Sequence, residues 1–123
     1  MKTILVVEDD TMFTDILRHV LTKAGYNVVT AKDGLEGLDA VRGHHPDLII
    51  LDIMMPKLDG LEMLKQLRNQ EEPDKKARVI MLSSVEQPDS KIQAFASQVD
   101  DYLVKSNVDT KIVLEKVKKV LHD

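Results

Sequence analysis

Short apolar runs alternate along the chain with longer segments in which apolar residues recur every three or four positions. The runs are continuously apolar, which is typical of strands covered on both faces of a parallel sheet, whereas the longer segments have the periodicity of amphipathic helices. Five strands are predicted, at residues 3–7, 27–30, 48–51, 79–82 and 102–104.

Five helices are predicted between and after the strands, with apolar faces at residues 12–24, 35–41, 60–68, 88–97 and 113–121. Gly25 and Gly43 are at positions typical of C-terminal helix caps, and Asp109 is at the position of an N-terminal cap. The alternation of strand and helix indicates βαβ units, and therefore an α/β fold with a parallel sheet and helices on both faces.

The composition fits one domain with an ordinary core. Of the 123 residues, 43% are hydrophobic, and the net charge of −4 gives no support for a general nucleic-acid or membrane-surface binder. Without cysteine, the chain offers neither disulfides nor thiolate ligands. Because the sequence shows no signal peptide and no membrane-length apolar stretch, we expect a single cytoplasmic domain over residues 1–123, without an output domain.

Polar and ionisable residues collect where the predicted strands end. In sheets of this kind, ligands bind at the carboxyl ends of the strands, so residues that follow different strands can meet there. The first strand is followed by three acids, the third by one acid, the fourth by two hydroxyls and the fifth by a lysine: Glu8, Asp9, Asp10, Asp52, Ser83, Ser84 and Lys105.

These residue types suit one chemistry in particular. Clustered carboxylates repel one another unless they bind a cation, and oxygen ligands without histidine or cysteine favour a hard ion such as Mg²⁺. An ionised Asp52 beside Mg²⁺ is a nucleophile for phosphoryl transfer, which would give an aspartyl phosphate. Lys105 and Ser83 could then stabilise phosphoryl oxygens.

Each of these residues also has an ordinary structural explanation. An acid after a strand is often a helix N-cap, a serine a turn residue, and a lysine a solvated side chain. His44 and His45 precede the third strand, at the opposite end of the sheet, and are expected at the surface without a zinc site.

Four segments, in this order, resemble the receiver domain of two-component response regulators: ILVVEDD, LDIMMPKLDG, VIMLSS and DDYLVK. The resemblance covers essentially the whole chain. It implies a flavodoxin-like, doubly wound (βα)5 fold whose five-stranded parallel sheet has the order 2-1-3-4-5. It also implies a signalling domain, not an enzyme, which catalyses only its own phosphorylation from a donor and its own dephosphorylation.

The resemblance assigns the acids to a phosphoacceptor and a metal site. Asp52 would accept the phosphoryl group from a histidine kinase or a histidine phosphotransfer protein. Glu8, Asp9, Asp52 and the backbone carbonyl of Met54 would hold Mg²⁺, with Mn²⁺ as the alternative ion.

The same resemblance assigns a switch. Lys105 would contact the phosphoryl oxygens, Ser83 would move toward them and Tyr102 would turn inward, while Pro56 and Gly60 would shape the loop after the phosphoacceptor. Phosphorylation would change the surface of the fourth helix, fifth strand and fifth helix, at residues 88–123. The partner there would be a downstream protein or an output domain in the same chain, with no direct nucleic-acid or membrane contact. The domain would be a monomer or a weak, phosphorylation-dependent dimer.

Three features depart from the family pattern. Ser106 follows the lysine, where the family usually has proline, and Ser84 replaces a smaller residue after the hydroxyl. The segment SQV precedes the last motif, where a small Gly-Ala pair is common.

Two other functions stay open. A receiver-like interaction module that no longer switches is one alternative. A phosphatase with an aspartate nucleophile is the other, although such haloacid-dehalogenase-like enzymes carry a second aspartate where this chain has Met54.

Overall fold

The structure is a computed structural model that describes residues 1–53, 55, 59–69, 77–83, 98–107 and 109–123. Its strands form one parallel sheet in the order β2-β1-β3-β4-β5, as the family resemblance implied. The strands are β1 Thr3–Val7, β2 Asn27–Ala31, β3 Leu48–Asp52, β4 Arg78–Ser83 and β5 Asp101–Val104.

Four helices are described, and each lies where the sequence predicts one. They are α1 Thr11–Lys23, α2 Gly34–His44, α3 Gly60–Arg68 and the C-terminal helix Thr110–Leu121, with a short 3-10 turn at Lys105–Asn107. The predicted helix at residues 88–97 lies outside the described residues. No helix in the described ranges is long and apolar enough to cross a bilayer.

Side chains on the two faces of the sheet form two separate cores, because successive residues of a strand point to opposite sides. Leu5 and Val7 of β1 pack with α2 and α3, whereas Ile4 and Val6 pack with α1 and the C-terminal helix. Every residue of β3 is buried. Helices on both faces of the sheet and a doubly covered central strand are thus confirmed.

The helix caps agree with the sequence at two positions and differ at one. Asp109 accepts a hydrogen bond from the backbone N–H of Ile112 at 2.8 Å, and Gly25 has a φ of 99° just after α1. The second helix does not end at Gly43, since it continues to His44 and closes on His45 with a φ of 45°.

Three large apolar residues of the predicted helices are exposed. Met12, Ile16 and Leu35 are 73%, 48% and 53% exposed, so these members of the apolar periodicity do not face the core. A helix buries only a stripe of its surface, and α1 fills that stripe with Leu17, Leu21 and the small polar Thr14.

Candidate functional site

The carboxyl ends of the strands bring four predicted site residues to one edge of the sheet. Glu8 follows β1, where its backbone N–H donates to the carbonyl of Ala31 at 3.0 Å and extends the pairing with β2. Asp52 is the last residue of β3, and Lys105 directly follows β5. Ser83 is buried at the end of β4, between the strands that carry Asp52 and Lys105.

Three carboxylates lie together at this edge. Oxygens of Glu8, Asp9 and Asp52 are all within 4.8 Å of one another, the only such group in the described ranges. Glu8 and Asp52 are 2% and 1% exposed, while Asp9 is exposed. The group therefore combines two buried acids with one that faces water.

Lys105 connects the two buried acids. Its Nζ donates to Glu8 Oε1 and, at 3.1 Å, to Asp52 Oδ2. The Lys105 side chain is 23% exposed, whereas those of Glu8 and Asp52 are 0% and 2% exposed. This arrangement partly neutralises the buried carboxylates and places an ammonium beside Asp52.

Burial and neighbouring charges shift the pKa values of two groups at the site, Glu8 and Lys105. Burial raises the pKa of Glu8 to about 8, with the neighbouring Asp52 adding to the rise and Lys105 opposing it. Burial alone would lower the pKa of Lys105, but its hydrogen bonds to Glu8 and Asp52 outweigh burial and raise it. Perturbed pairs of this kind are concentrated at functional sites.

The donor set fits a divalent cation. Glu8 Oε2 is buried and has no hydrogen-bond partner among the described residues, a costly state that a metal would relieve. Ligand oxygens about 2.1 Å from Mg²⁺ lie up to about 4.2 Å apart across the ion. Oxygens of Glu8, Asp9 and Asp52 all lie within 4.8 Å of one another, so small side-chain shifts would let them bind one ion. Met54, the predicted carbonyl ligand, lies outside the described residues.

Two residues around the acids have structural roles. Asp10 caps α1, since its carboxylate accepts from the N–H groups of Met12 at 3.0 Å and Phe13 at 3.4 Å, so the ordinary explanation holds for this acid. Gly60 begins α3 against the end of β3, where a Cβ would lie 2.2 Å from the carbonyl oxygen of Asp52. Only glycine permits this approach.

Most of the chain matches a known protein family. Residues 4–118 match the response regulator receiver domain, and the site lies inside that match. The chain is a receiver domain.

Two curated relatives of this receiver domain are named as regulators of transcription. The chain is 40% identical over 104 residues to the alkaline phosphatase synthesis transcriptional regulatory protein PhoP of Bacillus subtilis, covering 85% of this chain and 42% of that protein. It is 39% identical over 121 residues to the DNA-binding dual master transcriptional regulator RpaA of Synechocystis, covering 98% and 49%. The chain thus spans a little under half the length of these relatives.

Solved structures agree over the full length of the receiver domain. The chemotaxis protein CheY4 of Vibrio cholerae has a TM-score of 0.89 at 32% identity, covering 98% of this chain and 99% of that one. The response regulator TrrA of Thermotoga maritima, solved in complex with Mg²⁺-BeF, has a TM-score of 0.81 at 35% identity, covering 98% and 100%.

The structure describes some of the remaining residues that the sequence analysis named, but not all of them. Tyr102 is half-buried on β5 and packs against the core shared with α2 and α3. Ser106 is exposed in the 3-10 turn after Lys105, whereas Ser84 and Pro56 lie outside the described residues. His44 and His45 are both exposed, as expected.

Phe13 is a neighbour of the site that the sequence reasoning missed. Its ring centroid lies 5.4 Å from Lys105 Nζ. In the sequence Phe13 was only one member of an apolar helical stripe, and nothing in that local pattern distinguished it from residues that face the core.

Proposed function

We propose that this receiver domain is the phosphoacceptor switch of a two-component phosphorelay. Asp52 accepts the phosphoryl group in a Mg²⁺-dependent reaction from a histidine kinase or a histidine phosphotransfer protein. The observation that carries this proposal is the ion-paired group of Lys105, Glu8 and Asp52, beside Asp9, at the carboxyl edge of the sheet. The reaction is confined to the domain itself, which takes up and loses its own phosphoryl group.

Transfer begins with an oxygen of the Asp52 carboxylate. It forms a bond to the phosphorus of a phosphohistidine as the P–N bond breaks, and the leaving imidazole keeps the electron pair of that bond. Glu8, Asp9, Asp52 and the carbonyl of Met54 would hold Mg²⁺, or Mn²⁺ in its place, which when bound would neutralise charge on the phosphoryl oxygens.

Lys105 and Ser83 act on the group being transferred. The Lys105 ammonium, 3.1 Å from Asp52 Oδ2, exchanges carboxylate oxygens for a phosphoryl oxygen as charge arrives on Asp52. The Ser83 hydroxyl, at the end of the adjacent strand, donates to another oxygen. Tyr102 follows this movement inward and so reports the phosphorylation state on β5.

The output surface is the fourth helix, fifth strand and fifth helix of the family, at residues 88–123. Within the described part of it, Lys116 ties the C-terminal helix to β5 by hydrogen bonds to Asp101 Oδ1 at 2.8 Å and to the carbonyl of Tyr102 at 3.0 Å. A change at Tyr102 would therefore be transmitted to the helix.

The partner of this surface is a downstream protein or an output domain. Relatives named as transcriptional regulators are about twice as long as this chain, which favours an output step in transcription. We take residues 1–123 as one receiver unit that acts in the cytoplasm, without direct nucleic-acid or membrane contact of its own. It would be a monomer, or a weak dimer when phosphorylated.

Intact mass spectrometry tests the phosphoacceptor. With Mg²⁺ and phosphoramidate, the wild-type chain should gain one phosphoryl group and Asp52→Asn none. Asp39→Asn is the matched control, because Asp39 is an exposed acid paired with Arg42 on α2 and should leave the adduct unchanged. Absence of an adduct on the wild-type chain at saturating donor would overturn the proposal.

The same preparation tests the alternatives. A non-switching interaction module would bind no Mg²⁺, so a titration followed by NMR would leave the signals of Glu8, Asp9 and Asp52 unmoved. Steady turnover of a small phosphate ester would support the phosphatase.

A further inference from the structure

Phe13 faces the ammonium group that the proposed reaction depends on. It lies in the first turn of α1, and its ring centroid is 5.4 Å from Lys105 Nζ, within the range of a cation–π contact. The ring is half-buried and packs against the core between the sheet, α1 and the C-terminal helix. One side of the ammonium therefore meets an aromatic face, and another meets Glu8 and Asp52.

We propose that Phe13 is a positioning residue for phosphoryl transfer, holding the Lys105 ammonium beside Asp52 through its ring face. This inference rests on the function proposed above. A lysine side chain has several freely rotating bonds, and ordering it during the reaction costs conformational entropy. A contact that orders Lys105 beforehand removes part of that cost.

The ring contact has a property that the ion pairs lack. Glu8 and Asp52 hold Lys105 with carboxylate oxygens, and those oxygens are also the ones available to a metal ion or to the incoming phosphorus. Phe13 uses no carboxylate oxygen. It therefore still orients Lys105 when the acids are engaged elsewhere.

Hydrogen bonds fix Phe13 relative to the acids. The N–H of Phe13 donates to Asp10 Oδ1 at 3.4 Å, and Asp10 directly follows Asp9. In the next position of α1, the buried Thr14 hydroxyl donates to the carbonyl of Glu8 at 3.4 Å. The first turn of α1, which carries the ring, is therefore hydrogen-bonded to the segment 8–10 that contains the acids.

Two measurements on the full chain test this role. Phosphoramidate is the donor, because a small donor makes no protein contact with α1. Phe13→Leu, which keeps an apolar side chain without a ring, should slow phosphorylation about 2- to 10-fold. It should also remove the ring-current shift of the Lys105 methylene signals next to Nζ in NMR spectra.

Conservative and remote variants separate positioning from packing. Phe13→Tyr retains the ring and should keep both the wild-type rate and the ring-current shift. Ile16→Leu changes an exposed apolar residue one turn further along α1 and should also match the wild type. Urea unfolding of all three variants measures any loss of packing separately from the rate.

The outcomes distinguish this inference from the proposed function. Phosphorylation of Phe13→Leu at the wild-type rate, or equal slowing in Phe13→Leu and Phe13→Tyr, would overturn the role of Phe13 alone. A wild-type chain without the ring-current shift would overturn the contact itself. A wild-type chain that takes no phosphoryl group would overturn the proposed function, and the role of Phe13 with it.

Discussion

A lysine meets carboxylate at both edges of the sheet, yet the two sites differ in exposure and in hydrogen bonding. At the carboxyl edge, Lys105 contacts Glu8 and Asp52, whose side chains are 0% and 2% exposed. At the amino edge, Lys2 Nζ lies 2.7 Å from Asp123 Oδ1, and these side chains are 42% and 33% exposed.

At the amino edge, Lys2 and Asp123 each have a further hydrogen-bond partner besides one another. Lys2 also donates to the carbonyl of Leu121 at 2.7 Å, and the Tyr26 hydroxyl donates to Asp123 Oδ2 at 2.8 Å. These hydrogen bonds from Lys2 and Tyr26 lower the pKa of Asp123. Water screens the pair, so it ties the end of the chain to β1 with a small effect on stability.

At the carboxyl edge, Glu8 Oε2 is buried without a hydrogen-bond partner among the described residues, and the pKa of Glu8 is raised to about 8. Burial is the physical difference, because it makes an unpaired charge costly at the carboxyl edge. The same residue types stabilise the chain end at one edge and form a buried cluster of acids and lysine with perturbed pKa values at the other.

The largest difference in phosphorylation rate should be between substitutions of Lys105 and of Lys2. Lys105→Met removes the ammonium beside Asp52 and is expected to slow phosphorylation by phosphoramidate about 100-fold. Lys2→Met should leave that rate unchanged, because its partner lies at the other edge. Time courses of the intact mass at saturating Mg²⁺ give both rates. A Lys105→Met rate within twofold of the wild type would remove the functional distinction between the edges.

Neutralising an acid should have opposite effects on stability at the two edges. Without metal, Glu8→Gln should raise the free energy of unfolding at pH 8 by about 1–3 kcal/mol, because a buried charge is removed and Lys105 keeps an acceptor. Asp123→Asn should lower it, since Lys2 and Tyr26 lose a charged partner. Urea unfolding in EDTA measures both, and a destabilised Glu8→Gln would contradict the comparison.

The difference in free energy of unfolding between Glu8→Gln and the wild type should change in one direction with pH. The pKa of Glu8 rises from 4.5 to about 8 on folding, so the folded chain binds this proton more tightly. Its contribution to stability is complete below pH 4.5 and is lost as the pH rises to about 8. The advantage of Glu8→Gln over the wild type should therefore widen across this interval. Urea titrations at several pH values check the sign, which a constant difference would contradict.

Mg²⁺ should stabilise the folded chain by binding at the carboxyl edge and not at the amino edge. At ten times its Kd, it is expected to raise the free energy of unfolding by about 1.4 kcal/mol, from RT ln(1 + [L]/Kd). The increase should shrink in Asp52→Asn and reverse with EDTA, while potassium chloride of equal ionic strength has no such effect. NMR shifts should concentrate around Glu8, Asp9 and Asp52, and comparable shifts at Tyr26 would argue for nonspecific binding.

The smallest change in stability should come from the substitution Tyr26→Phe. Burial, and then the hydrogen bond to Asp123, raise the pKa of Tyr26 to about 12 from 10.0. Its contribution to stability is therefore present below pH 10 and is lost as the pH rises toward 12. Phenolate absorbance should show one step near pH 12 that Tyr26→Phe removes, with a loss of about 0.5–1.5 kcal/mol in stability near neutral pH. A wild-type titration with no such late step would contradict the assignment.

Local patterns were sufficient to predict the described elements and the residue types that meet at the candidate site. The predicted β1 and α3 match the structure at both ends, because their apolar periodicity is a property of neighbouring residues. The acids, hydroxyl and lysine at strand ends were recognisable because parallel strands all end at the same edge. Asp109 was recognisable as a cap for the same local reason.

Tertiary structure decided which of these residues meet and in what environment. Lys105 reaches Asp52 and Glu8 across 53 and 97 residues of sequence, through the register of β1, β3, β4 and β5. The folded structure shows that Asp10 is a helix cap and not a member of the acidic group. It also places Phe13 over Lys105, while Met12 and Ile16 of the same apolar stripe are exposed. Sequence alone determined the order of the described elements and the residue types at the candidate site, because both depend on short-range periodicity and residue type. Burial, pairing and the raised pKa of Glu8 depend on distances between strands, which exist only once the sheet and its two helical layers are assembled.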